Sequence, residues 1–335
     1  MPIVYAYRTD DSTILEVASG GAFNDFARAF FQEHPEHAVV YGAAFTSEFD
    51  IRTQPAYSYL ECAAFRGSKY AQCDYTESIK SVTEHLKEGY YVMYSGVPCQ
   101  IFALRSFLEK NAVPMDKLIL IDVICHGMPR KKIWDDYKRK IEQEYSGKLM
   151  EFSFRYKKTK SKEPVVRAKF DNGKVVIDSH LLRSYFDLYF TYLPLRSSCY
   201  SCKFSNMKRI GDITIGDFWG IEDLIPEFPS DKGVSEIIVN SDKGKHAVLS
   251  LIQLNPNATA KEYCGDGYIQ YQHNLMKPTE KPNNLNEFWE DYKENGFGFI
   301  LRKYAKYTFA GKVEFYLKKM LRYTGLRTLL AKIRR

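Results

Sequence analysis

The first 145 residues alternate between short apolar runs and amphipathic stripes of helical spacing. Residues 38–45, 90–94 and 117–124 are nearly continuous apolar runs, as in strands that are covered on both faces of a sheet. Between them, residues 77–88 and 101–109 carry apolar side chains at helical spacing. This strand–helix alternation predicts an α/β protein whose central sheet is rich in parallel strands and has flanking helices.

The hydrophobic pattern changes in the second half of the chain. Residues 149–156 and 165–178 alternate between apolar and polar side chains, and Asp171, Asn172 and Gly173 mark a hairpin turn. Alternation joined by hairpins is typical of antiparallel strands with one solvated face. The predicted fold class is therefore mixed, α+β within the broader α/β class, with a more antiparallel C-terminal half.

The chain has 335 residues, 45% of them hydrophobic, which is enough for one large domain or two. It contains no run of about 18 apolar residues and does not begin with a signal-peptide pattern, so we expect a cytoplasmic protein. The predicted organisation is a core over 1–295, with halves 1–145 and 146–295, and a basic amphipathic tail over 296–335.

The net charge of +7 belongs to the tail. Residues 301–335 hold eleven Lys or Arg and one acidic residue, and the remaining chain has 37 basic and 40 acidic residues. Since the body is mildly acidic, the sequence argues against a nucleic-acid-binding protein.

Apolar residues recur through the tail at helical spacing, with cations between them. This pattern predicts a helix that lies on an anionic membrane surface at its inner face. The alternative is a helix packed on protein, with its lysines solvated. The apolar positions are Phe309, Val313, Phe315, Tyr316, Leu317, Met320, Leu321, Leu326, Leu329, Leu330 and Ile333.

Four of the seven cysteines stand in contexts that suit a metal or cluster. Cys199 and Cys202 form a C-x-x-C pair. Cys99 lies in the turn between the apolar run 90–94 and the predicted helix at 101–109, and Cys125 follows the run 117–124. Four thiolates suit either a [4Fe–4S] cluster or zinc. The other cysteines, Cys62, Cys73 and Cys264, have no such context and are interpreted as ordinary thiols.

Two glycine-containing turns and one basic loop are candidate ligand sites. Ser19, Gly20 and Gly21 precede a predicted helix, where backbone N–H groups can bind phosphate, although an ordinary helix cap is the simpler interpretation. The basic loop could hold an anion or be merely solvated. After the strand around Ile213 and Ile215, a glycine turn follows. The loop residues are Arg66, Gly67, Ser68 and Lys69, and the turn residues are Gly216, Asp217 and Gly220.

Seven short motifs occur along the chain in one order: ASGGAF, RGSKYAQ, SGVPCQ, CHGMP, SCYSCKF, DITIGDFWGI and DKGVS. In this ordered set the chain resembles the coenzyme F-420 hydrogenase/dehydrogenase beta-subunit family, which includes 7-hydroxymethyl-chlorophyll reductases, over about residues 3–295. The resemblance implies FAD, a [4Fe–4S] cluster, and electron exchange between a substrate and a carrier such as reduced deazaflavin, ferredoxin or a nicotinamide. Bacterial relatives of similar make-up often belong to surface-polysaccharide pathways, which implies a small-molecule or glycan-precursor substrate.

On this resemblance, the cluster ligands are Cys99, Cys125, Cys199 and Cys202. The residues assigned to FAD phosphates or an anionic substrate are Ser19, Gly20, Gly21, Arg66, Gly67, Ser68 and Lys69. The flavin pocket is lined by Ser95, Gly96, Gly216, Asp217 and Gly220. His126 and Asp217 are the candidate proton donors.

The chain departs from many relatives of this family, which begin with a ferredoxin-like module. It has no cysteine before Cys62, so it holds at most one cluster. Two other classes of function stay open: a polysaccharide-pathway transferase or modifying enzyme with structural zinc, and a non-catalytic electron-transfer subunit.

Overall fold

The computed structural model describes residues 2–10, 12–158 and 164–324. The chain forms two compact units. Unit 1 comprises residues 1–69, 73–126 and 201–279, and unit 2 comprises 70–72, 127–200 and 280–335. The predicted division at residues 145 and 295 stays a proposal from the sequence. The predicted tail positions Leu326, Leu329, Leu330 and Ile333 lie outside the described residues.

Unit 1 is built on a nine-stranded mixed sheet with the order β12-β1-β11-β10-β6-β5-β2-β3-β4. Strands β2, β5, β6 and β10 are parallel neighbours in the sheet, whereas β3, β11 and β1 pair antiparallel. The strands are β1 (Ile3–Arg8), β2 (Ala38–Phe45), β3 (Ile51–Ala56), β4 (Cys73–Asp74), β5 (Tyr91–Gly96), β6 (Leu118–Val123), β10 (Ile213–Asp217), β11 (Ser235–Val239) and β12 (Thr259–Tyr263).

Helices cover both faces of this sheet. Alternate residues of β6 show the division, because Ile119 and Ile121 face the helices α1 and α7, whereas Leu118 and Leu120 face α2 and α3. A third buried cluster lies where the segment after β10 packs on β1 and β11. The helices of unit 1 are α1 (Ala22–Glu33), α2 (Thr76–Lys87), α3 (Pro98–Lys110), α6 (Ile221–Leu224) and α7 (Asp242–Leu254).

Unit 2 contains a three-stranded antiparallel sheet in the order β7-β8-β9, with helices beside it. Its core is aromatic: Trp134, Tyr137 and Tyr185 pack with their rings 4.8–5.8 Å apart. The elements are α4 (Lys131–Tyr145), β7 (Leu149–Tyr156), β8 (Val165–Phe170), β9 (Val175–Ile177), α5 (His180–Tyr189), α8 (Leu285–Tyr304) and α9 (Phe309–Thr324).

The predicted fold class is confirmed. The apolar runs 38–45, 90–94 and 117–124 became three adjacent strands, β2, β5 and β6, that run parallel. The alternating segments 149–156 and 165–178 became the antiparallel sheet of unit 2. Strands β3, β4 and β12 were not predicted: β4 and β12 are short or largely polar edge strands, and β3, beside β4, is largely polar.

Candidate functional site

The carboxyl ends of three parallel strands bring several predicted residues to one edge of the sheet in unit 1. Gly96 on β5 pairs with Asp122 on β6, and Val123 on β6 pairs with Ile215 on β10. The chain therefore leaves the sheet at a common edge in the segments that lead to Cys99, to Cys125 and His126, and beyond Asp217. Open α/β sheets bind ligands at this edge, outside the carboxyl ends of the strands.

His126 is held at this edge by Asn274 and Thr279. Its side chain hydrogen-bonds to Asn274, and its carbonyl accepts from Thr279 Oγ1 at 2.7 Å. Asn274 Nδ2 donates to the same hydroxyl at 3.1 Å. Burial lowers the pKa of His126, whereas Asn274 and the nearby charge of Asp217 raise it. The net lowering favours a neutral imidazole at pH 7, which can accept a proton or donate a hydrogen bond.

A buried carboxyl group that sequence reasoning missed lies beside this edge. Glu236 is fully buried on β11, opposite Gly216 of β10. Gln272 Nε2 donates to Glu236 Oε2 and to the carbonyl of Asp217, both at 2.5 Å. Burial raises the pKa of Glu236 to about 8, against the lowering effects of Gln272 and Arg209. Its signal in the sequence was a glutamate inside the apolar run VSEIIV.

Packing explains the glycines of the turn after β10. A Cβ on Gly216 would approach Ile124 Cδ1 to 2.7 Å, and one on Gly220 would approach the ring of Tyr271 to 2.4 Å. Gly220 also has φ +77°, in the left-handed region that favours glycine. Between them Trp219 is half exposed beside the site. The tight turn thus presents Asp217 and an indole ring at the sheet edge.

The turn at Ser19, Gly20 and Gly21 is anchored within unit 1. Ser19 Oγ donates to the carbonyl of Val234 at 2.6 Å, and Gly20 N donates to Ser235 Oγ at 3.0 Å. A Cβ on Gly20 would come within 2.1 Å of the Tyr7 carbonyl oxygen. Gly21 is the N-cap of α1, with φ +87°. Close packing therefore accounts for Gly20 without a ligand, and phosphate binding by this turn stays a prediction.

In the basic loop at residues 66–69, both cationic side chains form hydrogen bonds within the protein, whereas the space beside Gly67 is open. Arg66 donates to Glu16 at 2.7 Å and to Asn24 at 3.0 Å. Gly67 has φ +78° and no atom within 4 Å of the place a Cβ would take, so the chain leaves room there. Lys69 Nζ donates to the carbonyls of Ala64 and Arg66, and burial lowers the pKa of its amine to about 7.

The start of α3 places Cys99 as the sequence predicted. Ser95 Oγ, near the end of β5, donates to the carbonyl of Tyr41 at 3.0 Å. The side chain of Gln100 caps the helix by accepting from Val97 N at 3.1 Å. Cys99 is exposed in the first turn of this helix, where the helix dipole favours a thiolate.

In unit 2, Cys199 lies in a short 3₁₀ helix, Ser197–Ser201. Its sulfur accepts from the backbone N–H of Met128, three residues after Cys125, at 3.4 Å. Arg196 N donates to the Met128 carbonyl at 2.9 Å, so two main-chain segments meet at this point. A backbone N–H donated to sulfur stabilises a thiolate.

In unit 1, the loop that follows Cys202 is fixed by a buried ion pair. Arg209, on this loop, pairs with Asp122 of β6, and both side chains are almost completely buried. Arg209 also donates to the Phe204 carbonyl at 3.1 Å, and Asp122 accepts from Gly211 N at 2.9 Å. Breaking such a pair leaves a buried charge, at a cost of roughly 3–5 kcal/mol. The loop around Cys202 is therefore rigidly tied to the sheet.

The remaining cysteines differ from these four. Cys62 is buried and burial raises its pKa to about 12, and burial also raises the pKa of Cys73. Cys264 is exposed. Within the described ranges, no three His, Cys, Asp or Glu side chains form a group that could hold a metal ion. The predicted ligand set Cys99, Cys125, Cys199 and Cys202 stays a prediction.

Comparison with known proteins shows that the chain is similar to a known protein family and to solved structures. Residues 90–256 match the family model for the C terminus of the beta subunit of coenzyme F420 hydrogenase/dehydrogenase. A similar fold occurs in a chain of the F420-reducing [NiFe] hydrogenase complex from Methanosarcina barkeri, solved as a xenon derivative. The two chains share 15% identity, with a TM-score of 0.52 over 87% of this chain and 92% of that chain. No curated protein matches the sequence significantly.

Proposed function

Because the chain belongs, through residues 90–256, to the coenzyme F420 hydrogenase/dehydrogenase beta-subunit family, we propose that it is a FAD-dependent [4Fe–4S] oxidoreductase. It passes electrons between a small redox carrier and a substrate. The carrier is a reduced deazaflavin, a ferredoxin or a nicotinamide, and the substrate is a small molecule or a glycan precursor of surface-polysaccharide synthesis.

One observation carries this proposal: His126, Asp217 and the Glu236–Gln272 pair converge at the carboxyl edge of the parallel strands. Burial shifts the pKa values of His126 and Glu236. Titratable groups with shifted pKa values that lie where open α/β sheets bind ligands are typical of an active site. The family match supports redox chemistry as the proposed role of that edge.

The small and polar residues at this edge are of the types that can line a flavin ring. Ser95, Gly96, Gly216, Asp217 and Gly220 would line the ring by main-chain and polar contacts, and a phosphate could approach the main chain at Gly67, where no atom lies within 4 Å of the place a Cβ would take. When bound, FAD can accept an electron pair and release electrons singly. The packed turn at Gly20 supports phosphate binding less well than the open loop at Gly67 does.

Side chains at this edge can bind and release protons. His126 is neutral at pH 7, and Asn274 orients its ring. Glu236 carries a proton at neutral pH because its buried carboxyl disfavours charge. Gln272 holds Glu236 and the main chain at Asp217 together. A redox step that takes up or releases protons would use His126, whose imidazole can accept or donate a proton near neutral pH.

Cys99, Cys125, Cys199 and Cys202 are the proposed cluster ligands. The exposure of these cysteines is compatible with this choice, because all four have some solvent access, whereas Cys62 is buried and its thiol has a raised pKa. Thiolate sulfur is the donor that both iron–sulfur clusters and zinc prefer.

Anaerobic purification with analysis of iron, sulfide, zinc and flavin tests the proposal. We expect a brown-yellow protein with about four irons, four sulfides and one FAD per chain, as in a single [4Fe–4S] flavoprotein. A colourless protein with stoichiometric zinc and no flavin would overturn the redox assignment and favour a zinc-stabilised polysaccharide-modifying enzyme.

We further propose that α9 lets the protein lie on the inner, anionic face of the membrane. None of the helices in the described part of the chain has the length and hydrophobicity to cross a bilayer. In unit 2, Phe315 packs against His180 at 5.5 Å, while apolar residues on another face of α9 are exposed. These exposed residues are Phe309, Val313, Tyr316, Leu317 and Met320.

A further inference from the structure

An open cleft of about 680 Å³ lies in unit 1 where β1 ends. It is bounded by the end of β1, the turn that follows it, helix α1 and the start of β12. A volume of this size suits a small-molecule ligand. Polar and charged side chains line it: Arg8, Thr9, Asp10, Ser12, Thr13, Arg28, Asn257 and Thr259.

Two of these residues have a buried polar atom that forms no hydrogen bond with any described residue. Thr9 is only 2% exposed, and its Oγ1 has no hydrogen-bond partner among the described residues. The Nε atom of Arg28 is likewise buried and without a partner there. Buried polar atoms normally have partners, so each exception needs an explanation. A ligand that supplies acceptor oxygens would satisfy both groups.

The local packing fixes these groups in place. Thr9 N donates to the Gly20 carbonyl at 2.7 Å, and the Thr9 methyl lies against Gly21. Arg28 is held by Asp25, whose oxygen lies 3.1 Å from Nη2, and Asp25 in turn accepts from the Tyr7 hydroxyl at 2.6 Å. The guanidinium therefore keeps its position without a ligand.

The cleft offers guanidinium donors to an anion, and Asp25, Asp231 and Asp10 offset part of their positive charge. Arg8 and Arg28 contribute two guanidinium groups, and Arg8 forms an ion pair at 3.6 Å with the largely exposed Asp231. Asp10 adds one carboxylate to the cleft. This carboxylate accepts hydrogen bonds from the Ser12 hydroxyl and from the backbone N–H groups of Ser12 and Thr13, which stabilise its charged form and lower its pKa. Guanidinium groups bind carboxylate and phosphate oxygens through parallel N–H donors.

We propose that this cleft binds the oxyanion group of a small ligand, a phosphate or diphosphate, through Arg28, Arg8 and Thr9. The proposal does not rest on the redox function, since it uses no residue of the carboxyl-edge site. The Thr9 hydroxyl and the Arg28 Nε donate to the anion's oxygens. The remaining hydroxyls and the Asn257 amide surround the rest of the ligand.

Calorimetric titration of the full chain with inorganic pyrophosphate, in a buffer without other multivalent anions, tests this proposal. We expect one saturable site. Thr9→Val keeps the shape of the side chain but removes the hydroxyl, and Arg28→Lys keeps the charge beside Asp25 but removes Nε. Each variant should weaken binding about tenfold or more, and Thr9→Val should not lower the thermal midpoint of the ligand-free protein because its hydroxyl has no partner to lose among the described residues.

Two matched substitutions serve as controls. Thr83→Val removes a hydroxyl that donates to the Ile79 carbonyl on α2, and Arg52→Lys alters an exposed arginine paired with Glu77. Neither should change pyrophosphate affinity. No saturable binding by the natural protein, or equal binding by all four variants, would overturn the proposal.

A second titration in the presence of saturating FAD distinguishes the source of the anion. Unchanged pyrophosphate affinity assigns the cleft to a separate phosphorylated ligand. Competition assigns it to the diphosphate of the dinucleotide. Both results support an oxyanion site at Arg28 and Thr9, provided that the two variants lose binding.

Discussion

At the scale of single residues, the candidate site depends on groups whose burial changes their protonation. Glu236 and Lys69 are both pushed towards their neutral forms, to pKa values of about 8 and about 7. His126 is pushed the same way. Desolvation is the largest cause in each case, because a charge is costly to transfer from water into the protein interior.

Glu236→Gln should change how stability depends on pH. The folded-state pKa of about 8 lies above the ordinary value of 4.5, so the carboxyl favours folding below pH 4.5 and this advantage is lost as the pH rises to 8. Over that window the natural protein should lose on the order of 4 kcal/mol of unfolding free energy relative to the variant. Urea unfolding at pH 5 and at pH 8 measures the difference; a constant difference would show that Glu236 does not titrate in this range.

The cysteine set gives a second prediction at this scale. Cys125→Ser and Cys199→Ser should each abolish bound iron, because serine oxygen is a poor ligand for an iron–sulfur cluster. Cys264→Ser is the control, since Cys264 is exposed and outside the proposed set. Iron analysis and the visible spectrum give the answer, and full iron in the Cys125 variant would show that the ligand set is wrong.

At the scale of elements, the turn before α1 is specified by close packing. Gly20→Ala should lower stability on the order of 2 kcal/mol or more, because its Cβ would overlap the Tyr7 carbonyl and the Ser235 backbone. Gly298→Ala in α8 is the matched control, since the nearest atom is the Arg302 guanidinium at 3.7 Å. That change should be neutral or stabilise by about 0.5–1 kcal/mol. Urea unfolding compares them, and a stable Gly20→Ala protein would contradict the packing argument.

Helix α9 gives the next prediction at this scale. Phe309, Val313, Leu317 and Met320 recur at intervals of three or four residues, so they lie on one exposed face. Burying such side chains in a membrane interface is worth roughly 1–3 kcal/mol each. The double change Val313→Ser and Leu317→Ser should therefore weaken sedimentation with anionic liposomes at least tenfold.

The control for α9 is Leu249→Ser, which removes a comparably exposed leucine from α7. It should leave liposome binding unchanged. Liposome binding that is equal in the natural protein and the double variant, or absent at low salt, would remove the membrane assignment and leave α9 as a surface for a protein partner.

At the scale of the whole molecule, an activity assay can distinguish an enzyme from an electron-transfer subunit. The isolated, cofactor-loaded chain should be reduced by an artificial dye donor and should oxidise that donor catalytically when a one-electron acceptor is supplied. Stopped-flow bleaching of the flavin and steady-state dye oxidation measure the two steps. Bleaching without turnover would identify a subunit that needs another protein for catalysis.

Much of the architecture could be predicted because apolar periodicity is local. The predicted strands at 38–45 and 149–156 have the same bounds as β2 and β7 in the structure. The apolar pattern of each strand's own residues indicates whether one or both of its faces are buried. Strand β12 was missed because it is an edge strand with mostly solvated side chains. The position of Cys99 in the first turn of α3 could be predicted from the strand before it and the helical spacing after it.

The sequence by itself determined the mixed α/β class, the carboxyl-edge location of Cys99, Cys125 and His126, and the family through its ordered motifs. Only the tertiary structure decided that Glu236 is buried beside Asp217 and bridged by Gln272, and that Thr9 and Arg28 line the same cleft. These groupings bring together residues between 19 and 55 positions apart, and local spacing carries no information on such pairs. Their pKa values and orphaned donors arise from burial, which is a property of the folded chain.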